Sequence, residues 1–364
     1  MGAFESDVSD IAQEEGVDDG SIAEDAEVGY PVRYVISSYG ADYPVDSLVK
    51  RISKHDIYVP EFQRGFVWSH VQASRFVESL LLGLPVPGIF LFKESDTQKL
   101  VVVDGQQRLR TLQMYYGGII RGREFALRGV CEEMSGLTYQ NLTEEDRRRL
   151  DDGILHATIF QQDDPGNDRS SIYLIFERLN TGGTPLAPQE IRSCVYPGAL
   201  NDLLNELVKH PKWREIYGSS SLRGKEQELI LRFFALYING DNYTRPMKGF
   251  LNDFIDQNRN PQENRLADWR DLFERTVTVA ADNLSRTAFR PERNLNVAIV
   301  DAFLIGLARG LRRGALIDPS GLRAAADSVL ANKDFLAAVT SGTTNVTAIS
   351  RRLEMATSAF SNVQ

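Results

Sequence analysis

At 364 residues, with 42% hydrophobic and 25% charged side chains, the chain can bury a large core and has the make-up of a globular protein, not a fibrous or wholly disordered one. The formal charge of -9 is concentrated: residues 1–28 hold ten acidic and no basic residues, while the remainder balances 41 basic against 40 acidic ones. Two cysteines, Cys131 and Cys194, are too few for a disulfide framework or a metal quartet, and no signal-peptide pattern opens the chain, so a reducing cytoplasm is the expected setting.

Residues 1–28 read as a disordered acidic tail, either solubilising or acting as a nucleic-acid mimic over a basic groove. Residues 45–68 read as a short helix and then an extended segment, since Pro60 biases Val59 away from helix. A helix over 69–82 is capped by Ser69, has Val71, Phe76, Val77, Leu80 and Leu81 on its apolar side, and is ended by Gly83 and Pro85. Strands at 88–93 and 99–103 flank the turn Glu94-Ser95-Asp96, and a helix from 104 to 116 is stopped by Gly117-Gly118. A charged helix capped by Thr143 and a strand at 154–160 follow. A helix at 169–180 turns Ile172, Ile175, Phe176 and Leu179 inward. From Pro188 the pattern is helical, at 188–194, 199–209, 225–238, 246–256, 267–284, 295–312, 320–331 and 346–360. The apolar run Val297–Leu307 is broken by Asp301 and is too short to cross a membrane. The chain therefore reads as α+β: an acidic tail at 1–28, a mixed domain at 29–185 and an all-helical domain at 186–364.

The most informative stretch is VVVDGQQRLRTL at 101–112. Three β-branched residues run into Asp104-Gly105, and a helix starts at once. A helix N-terminus offers unpaired N–H groups and partial positive charge, which suit an anion. Arg108 is badly placed against that dipole, and a bound phosphate would resolve the conflict. Capping is the competing reading, because Asp104 and Gln107 stand at capping-box spacing. Gln63-Arg64 offers a second cation for the same phosphate, or an ordinary salt-bridge partner. Phe62, Phe66 and Trp68 suit core packing better than base stacking. No Walker string G-x-x-x-x-G-K-[ST] occurs.

Three blocks, YVPEFQRGFVW at 58–68, VVVDGQQRLRTL at 101–112 and YLIFERLNTGGTPLAPQEIR at 173–192, resemble in this order the signature of the GmrSD N-terminal-domain family of modification-dependent restriction and phage-defence proteins. The resemblance spans about residues 45–255 and implies a ParB/sulfiredoxin-like N-terminal domain. It implies nucleotide binding at Asp104, Gly105, Gln106, Gln107 and Arg108, with Gln63, Arg64, Thr111, Arg178, Asn180 and Thr181 around the pocket. In that scheme Asp104 is either the cap or the holder of Mg²⁺. Gln106 or Gln107 orients a water, and Arg108 stabilises charge on the phosphate. Arg110 departs from the family pattern, where Thr is common. The alternative for the third block is a helix end closed by glycines.

In the helical half, Arg223, Arg232, Arg245 and Lys248 alternate with Phe233, Phe234, Tyr237, Tyr243 and Phe250, which fits either a nucleic-acid surface or a solvated face over an aromatic core. The four histidines, His55, His70, His156 and His210, are scattered, and Asp152-Gly153 breaks the helix that a ribonuclease reading of Arg149 and His156 would need. A nuclease within this chain is therefore not expected. The leading expectation is a cytoplasmic NTPase-type sensor that binds a nucleoside triphosphate with Mg²⁺ and acts on modified or foreign DNA, with a separately encoded nuclease or effector and with self-association through the helical half left open. The alternatives are a non-catalytic DNA-binding or regulatory module and a self-sufficient ParB-like nuclease.

Overall fold

The computed structural model describes residues 17–18, 35–59, 66–94, 97–164, 170–179, 186–220, 223–312 and 318–361. It divides into two units, Val32–Leu186, and Ala187–Gln364 together with Met1–Pro31. Within the segment expected to be disordered, Val17–Asp18 (β1) pairs in parallel with Leu295–Asn296 of its own unit; the rest of 1–34 lies outside the described residues.

The first unit follows the order β2 (Val35–Pro44), α1 (Val45–Ser53), β3 (Ile57–Tyr58), α2 (His70–Leu81), β4 (Ile89–Lys93), β5 (Leu100–Asp104) and α3 (Gln106–Gly117). The hairpin β6 (Ile119–Ile120) and β7 (Arg123–Glu124), then α4 (Glu144–Asp151), β8 (Ile154–Asp164) and α5 (Ser170–Leu179), complete it. Five strands form one mixed sheet in the order β2-β8-β4-β5-β3. The β4–β8 and β3–β5 pairs are parallel, and the β2–β8 and β4–β5 pairs antiparallel. Alternate residues Ile89, Leu91, Leu100, Val102, Leu155, Ala157 and Ile159 join the core cluster that also takes in the apolar faces of α1 to α4. On the opposite face Phe92 and Phe160 meet at 5.6 Å, and α5 packs against β5 with Ile172, Tyr173 and Phe176 buried. Covered on both faces, β5 buries its first four residues and leaves Asp104 at its open end, which is why it reads as an unbroken apolar run.

Local signals account for much of this. Ser69 and Gln72 form a reciprocal capping box at the start of α2. Its side chains Ala73, Phe76, Val77, Leu80 and Leu81 are buried at helical spacing, whereas Val71, expected with them, is 38% exposed. Thr143 caps α4 by accepting from Asp146 N at 3.1 Å. The apolar pattern predicts no strand at 35–44. There β2 is an edge strand paired only with β8, and Ile36 and Tyr39 are exposed, so it lacks the alternation that burial imposes.

The second unit is helical: α6 (Pro188–Val195), α7 (Ala199–Leu207), α8 (Pro211–Tyr217), α9 (Lys225–Asn239), α10 (Met247–Gln257) and α11 (Glu263–Asn283) precede β9 (Leu295–Asn296). Then come α12 (Val297–Arg312), α13 (Pro319–Ala331), α14 (Lys333–Thr340) and α15 (Val346–Ser361). The short helices α8 and α14 are not expected from periodicity, having too few turns to show one. Gly306 lets α12 and α15 touch: a Cβ there would lie 2.8 Å from the Ala356 carbonyl carbon. Asp301, the break in the apolar run, is buried between two arginines. Its Oδ2 accepts from Arg232 Nη2 at 2.6 Å and from Arg352 Nη2 at 3.0 Å. Burial lowers the Arg352 guanidinium to about 10 despite that carboxylate. Arg232, Phe233, Phe234 and Tyr243 are thus core residues, which decides for packing, at these positions, between the two readings of the basic-aromatic stretch. Among the described residues no helix is long and apolar enough to cross a membrane.

Candidate functional site

The strand-to-helix turn forms where the sequence places it, but its cap differs. Gly105, not Asp104, is the N-cap of α3; it sits at φ 97°, ψ 8°, and no side chain caps the helix. Both the backbone and the space demand glycine. A Cβ would stand 2.4 Å from Ile89 Cγ2 and 2.9 Å from Ile89 Cβ. Moving the cap by one residue undoes the expected Asp104–Gln107 box. The Asp104 carboxylate instead pairs with Arg108 Nη2 at 2.7 Å, and Arg108 Nη1 donates to Pro87 O at 2.7 Å and also to Gly88 O. The acid lies one turn before the base, the favourable order for such a pair. The negative charge that Arg108 requires near a helix start is therefore supplied by the chain itself, a correction to the argument for an external anion.

The two glutamines part company. Gln107 accepts with Oε1 from Val67 N at 2.9 Å and from Trp68 N at 3.2 Å. Gln106 is 8% exposed. Thr111, expected at a pocket wall, is fully buried, and its hydroxyl donates to Gln107 O at 2.7 Å inside the helix; it faces the core. Arg110 is half-buried, and burial lowers its guanidinium below the ordinary value. Trp68 packs edge-on against Phe76 at 5.7 Å, and Phe66 also borders the core. Gln63, Arg64 and Phe62 lie outside the described residues, but both ends of their segment are fixed. Tyr58 pairs with Val101 in the sheet, and Val67 and Trp68 hang on Gln107. The first two sequence blocks are thus physically joined.

Residues 45–197 match the family described as GmrSD restriction endonuclease, N-terminal domain. Residues 45–197 thus carry the GmrSD N-terminal domain that the three sequence blocks point to. No curated protein matches it.

Within this GmrSD domain the third block begins on α5 and ends on α6. Arg178 lies exposed in the last turn of α5 and makes no hydrogen bond or ion pair to the α3 turn among the described residues, whereas Asn180 and Thr181 lie outside them. One pair at the same end of the sheet escapes sequence reading. His156 Nδ1 and Asp42 Oδ1 lie 2.8 Å apart, on β8 and β2. The His156 carbonyl oxygen presses on Gly88, where a Cβ would meet it at 2.8 Å. Gly88 in turn accepts from Arg108. The signal was absent because β2, which brings Asp42 alongside His156, carries no strand pattern. Neither cysteine forms a disulfide among the described residues; Cys194 is buried and Cys131 partly so.

Proposed function

We propose that this protein, with its GmrSD N-terminal domain, is the nucleotide-binding sensor of a bacterial restriction or anti-phage system, taking a nucleoside triphosphate at the start of α3. The family match over residues 45–197 supports the restriction or defence role. The observation that carries the nucleotide reading is the α3 start itself: Gly105 caps it with backbone alone, and Asp104 and Arg108 flank it as a charged pair. Arg108 is held from behind by Pro87 and Gly88 through Nη1, so only its Nη2 bond must be exchanged for phosphate to bind. Asp104, 32% exposed, would then be released to hold Mg²⁺. The cation, when bound, supplies neutralisation of phosphate charge. Gln106 is the residue left to orient a water, whereas Gln107 positions the segment that carries Gln63 and Arg64. Modified or foreign DNA is the target this role calls for, with a separately encoded nuclease or effector as partner.

A second reading rests on the same pair. Asp104, Arg108, Pro87 and Gly88 form a self-sufficient brace, as a non-catalytic DNA-binding or regulatory module would use. A thermal-shift screen of ATP, GTP, CTP and UTP with and without Mg²⁺ separates the two. A ligand at a hundred times its Kd stabilises by about 2.7 kcal/mol, a rise of several degrees. Melting unmoved by any of the four overturns the nucleotide reading.

A further inference from the structure

The β6–β7 hairpin and the start of α2 enclose a cleft of about 390 Å³ lined by His70, Ile120, Arg121, Arg123 and Arg128. We propose that this cleft binds phosphate oxygens of a polynucleotide backbone, at a place separate from the α3 turn. None of its residues belongs to the three motif blocks. The three arginines are exposed, and none makes an ion pair among the described residues. The segment 118–131 holds one carboxylate, Glu124, which pairs across the hairpin with Ile119. Arg123 pairs with Ile120, one position along and therefore on the opposite face, so Glu124 does not neutralise it.

The array is held in place and not left to float. His70 Nε2 lies 2.7 Å from Ala126 O and must donate to it. Arg128 N donates to Ser74 Oγ at 3.0 Å, and Arg75 Nε to Gly129 O at 3.2 Å. Three bonds thus staple the Arg128 segment to α2. Arg121 Nη2 reaches Trp68 O at 3.2 Å. The hairpin turn is Arg121-Gly122, with φ 49° and 74°. A turn with two positive φ values favours Asn-Gly, so an arginine at its first position holds charge at the tip against local preference. Three arginines on an anchored backbone around an open cleft, broader than one phosphate needs, fit successive phosphodiesters better than a single small anion.

The test uses the full chain with Arg121→Asn, Arg123→Gln and Arg128→Gln combined; asparagine keeps the turn preference. Binding of a labelled 30-base-pair duplex is followed by anisotropy across a salt series. Neutralising three phosphate contacts predicts at least a tenfold loss of affinity and a fall of about 2–3 in the slope of log affinity against log salt. Binding of the nucleoside triphosphate stays unchanged. Arg123→Gln alone, on the exposed hairpin, lowers the slope by about one and serves if the triple variant melts early. Wild-type protein that does not bind the duplex, or a variant with unchanged slope, overturns the proposal. Loss of mononucleotide or inorganic phosphate binding with duplex affinity intact also overturns it, since the cleft would then serve a small anion.

Discussion

Gly105→Ala tests whether the α3 turn is built as described. At φ 97° an alanine pays roughly 1–2 kcal/mol for left-handed backbone. Its Cβ would also lie 2.4 Å from Ile89 Cγ2, a contact the buried strand β4 cannot avoid without shifting. Such overpacking costs about 1–3 kcal/mol, so the total is roughly 2–5 kcal/mol. Urea unfolding read by pulse-labelling hydrogen exchange on peptides from β4, β5 and α3 isolates the sheet unit from the helical one. Ile89→Ala alone costs about 2–5 kcal/mol, but in the Gly105→Ala background it removes the clashing methyl. The two changes should therefore combine to less than their sum, by about 1 kcal/mol. Gly105→Ala within about 0.5 kcal/mol of wild type refutes the backbone argument, and strict additivity refutes the steric one.

Gln107→Leu strips two acceptor contacts from Val67 and Trp68 and should cost about 1–3 kcal/mol, with faster exchange at 66–68, while Gln107→Glu keeps the acceptor and most of the protection. Asp301→Asn leaves Arg232 and Arg352 buried without a countercharge and should destabilise the helical unit by about 3–5 kcal/mol, seen in its own exchange transition; a change under about 1 kcal/mol would discount the buried network. At high pH, burial and the hydrogen bond to Asp151 hold the Tyr139 phenol up to about 12, above its unfolded value of 10.0. The unfolded chain loses that proton first, so this contribution is complete below pH 10 and is lost as pH rises through about 12. Tyr139→Phe should flatten the decline in melting temperature over that window.

The sheet was legible wherever burial wrote a pattern. Leu100–Asp104 and Ile89–Lys93 are apolar because both faces of the sheet are covered, and Ser69 announces α2 through its capping box. The edge strand Val35–Pro44 left no such trace, and Asp42 beside His156 went unseen with it. At the site, the turn at Gly105 could be read from composition, but the cap position could not. A one-residue shift turned a supposed Asp104–Gln107 box into an Asp104–Arg108 pair and sent Gln107 to the chain at Val67. Thr111 was expected at the pocket, but a threonine hydroxyl that bonds to its own helix can be buried in the core, and nothing in the sequence marks that difference. The arginine cleft draws on residues from 70 to 128 and has no contiguous motif.

Calorimetric titration of the stabilising triphosphate, with Mg²⁺, into wild type and Arg108→Gln puts the account's main assertion at risk most directly. With the fold confirmed by circular dichroism, losing hydrogen bonds from a charged donor, worth about 1.5–3 kcal/mol, should weaken binding roughly 10- to 100-fold. Equal affinity in the two proteins would contradict it and leave Arg108 as a brace between Asp104 and the Pro87-Gly88 carbonyls.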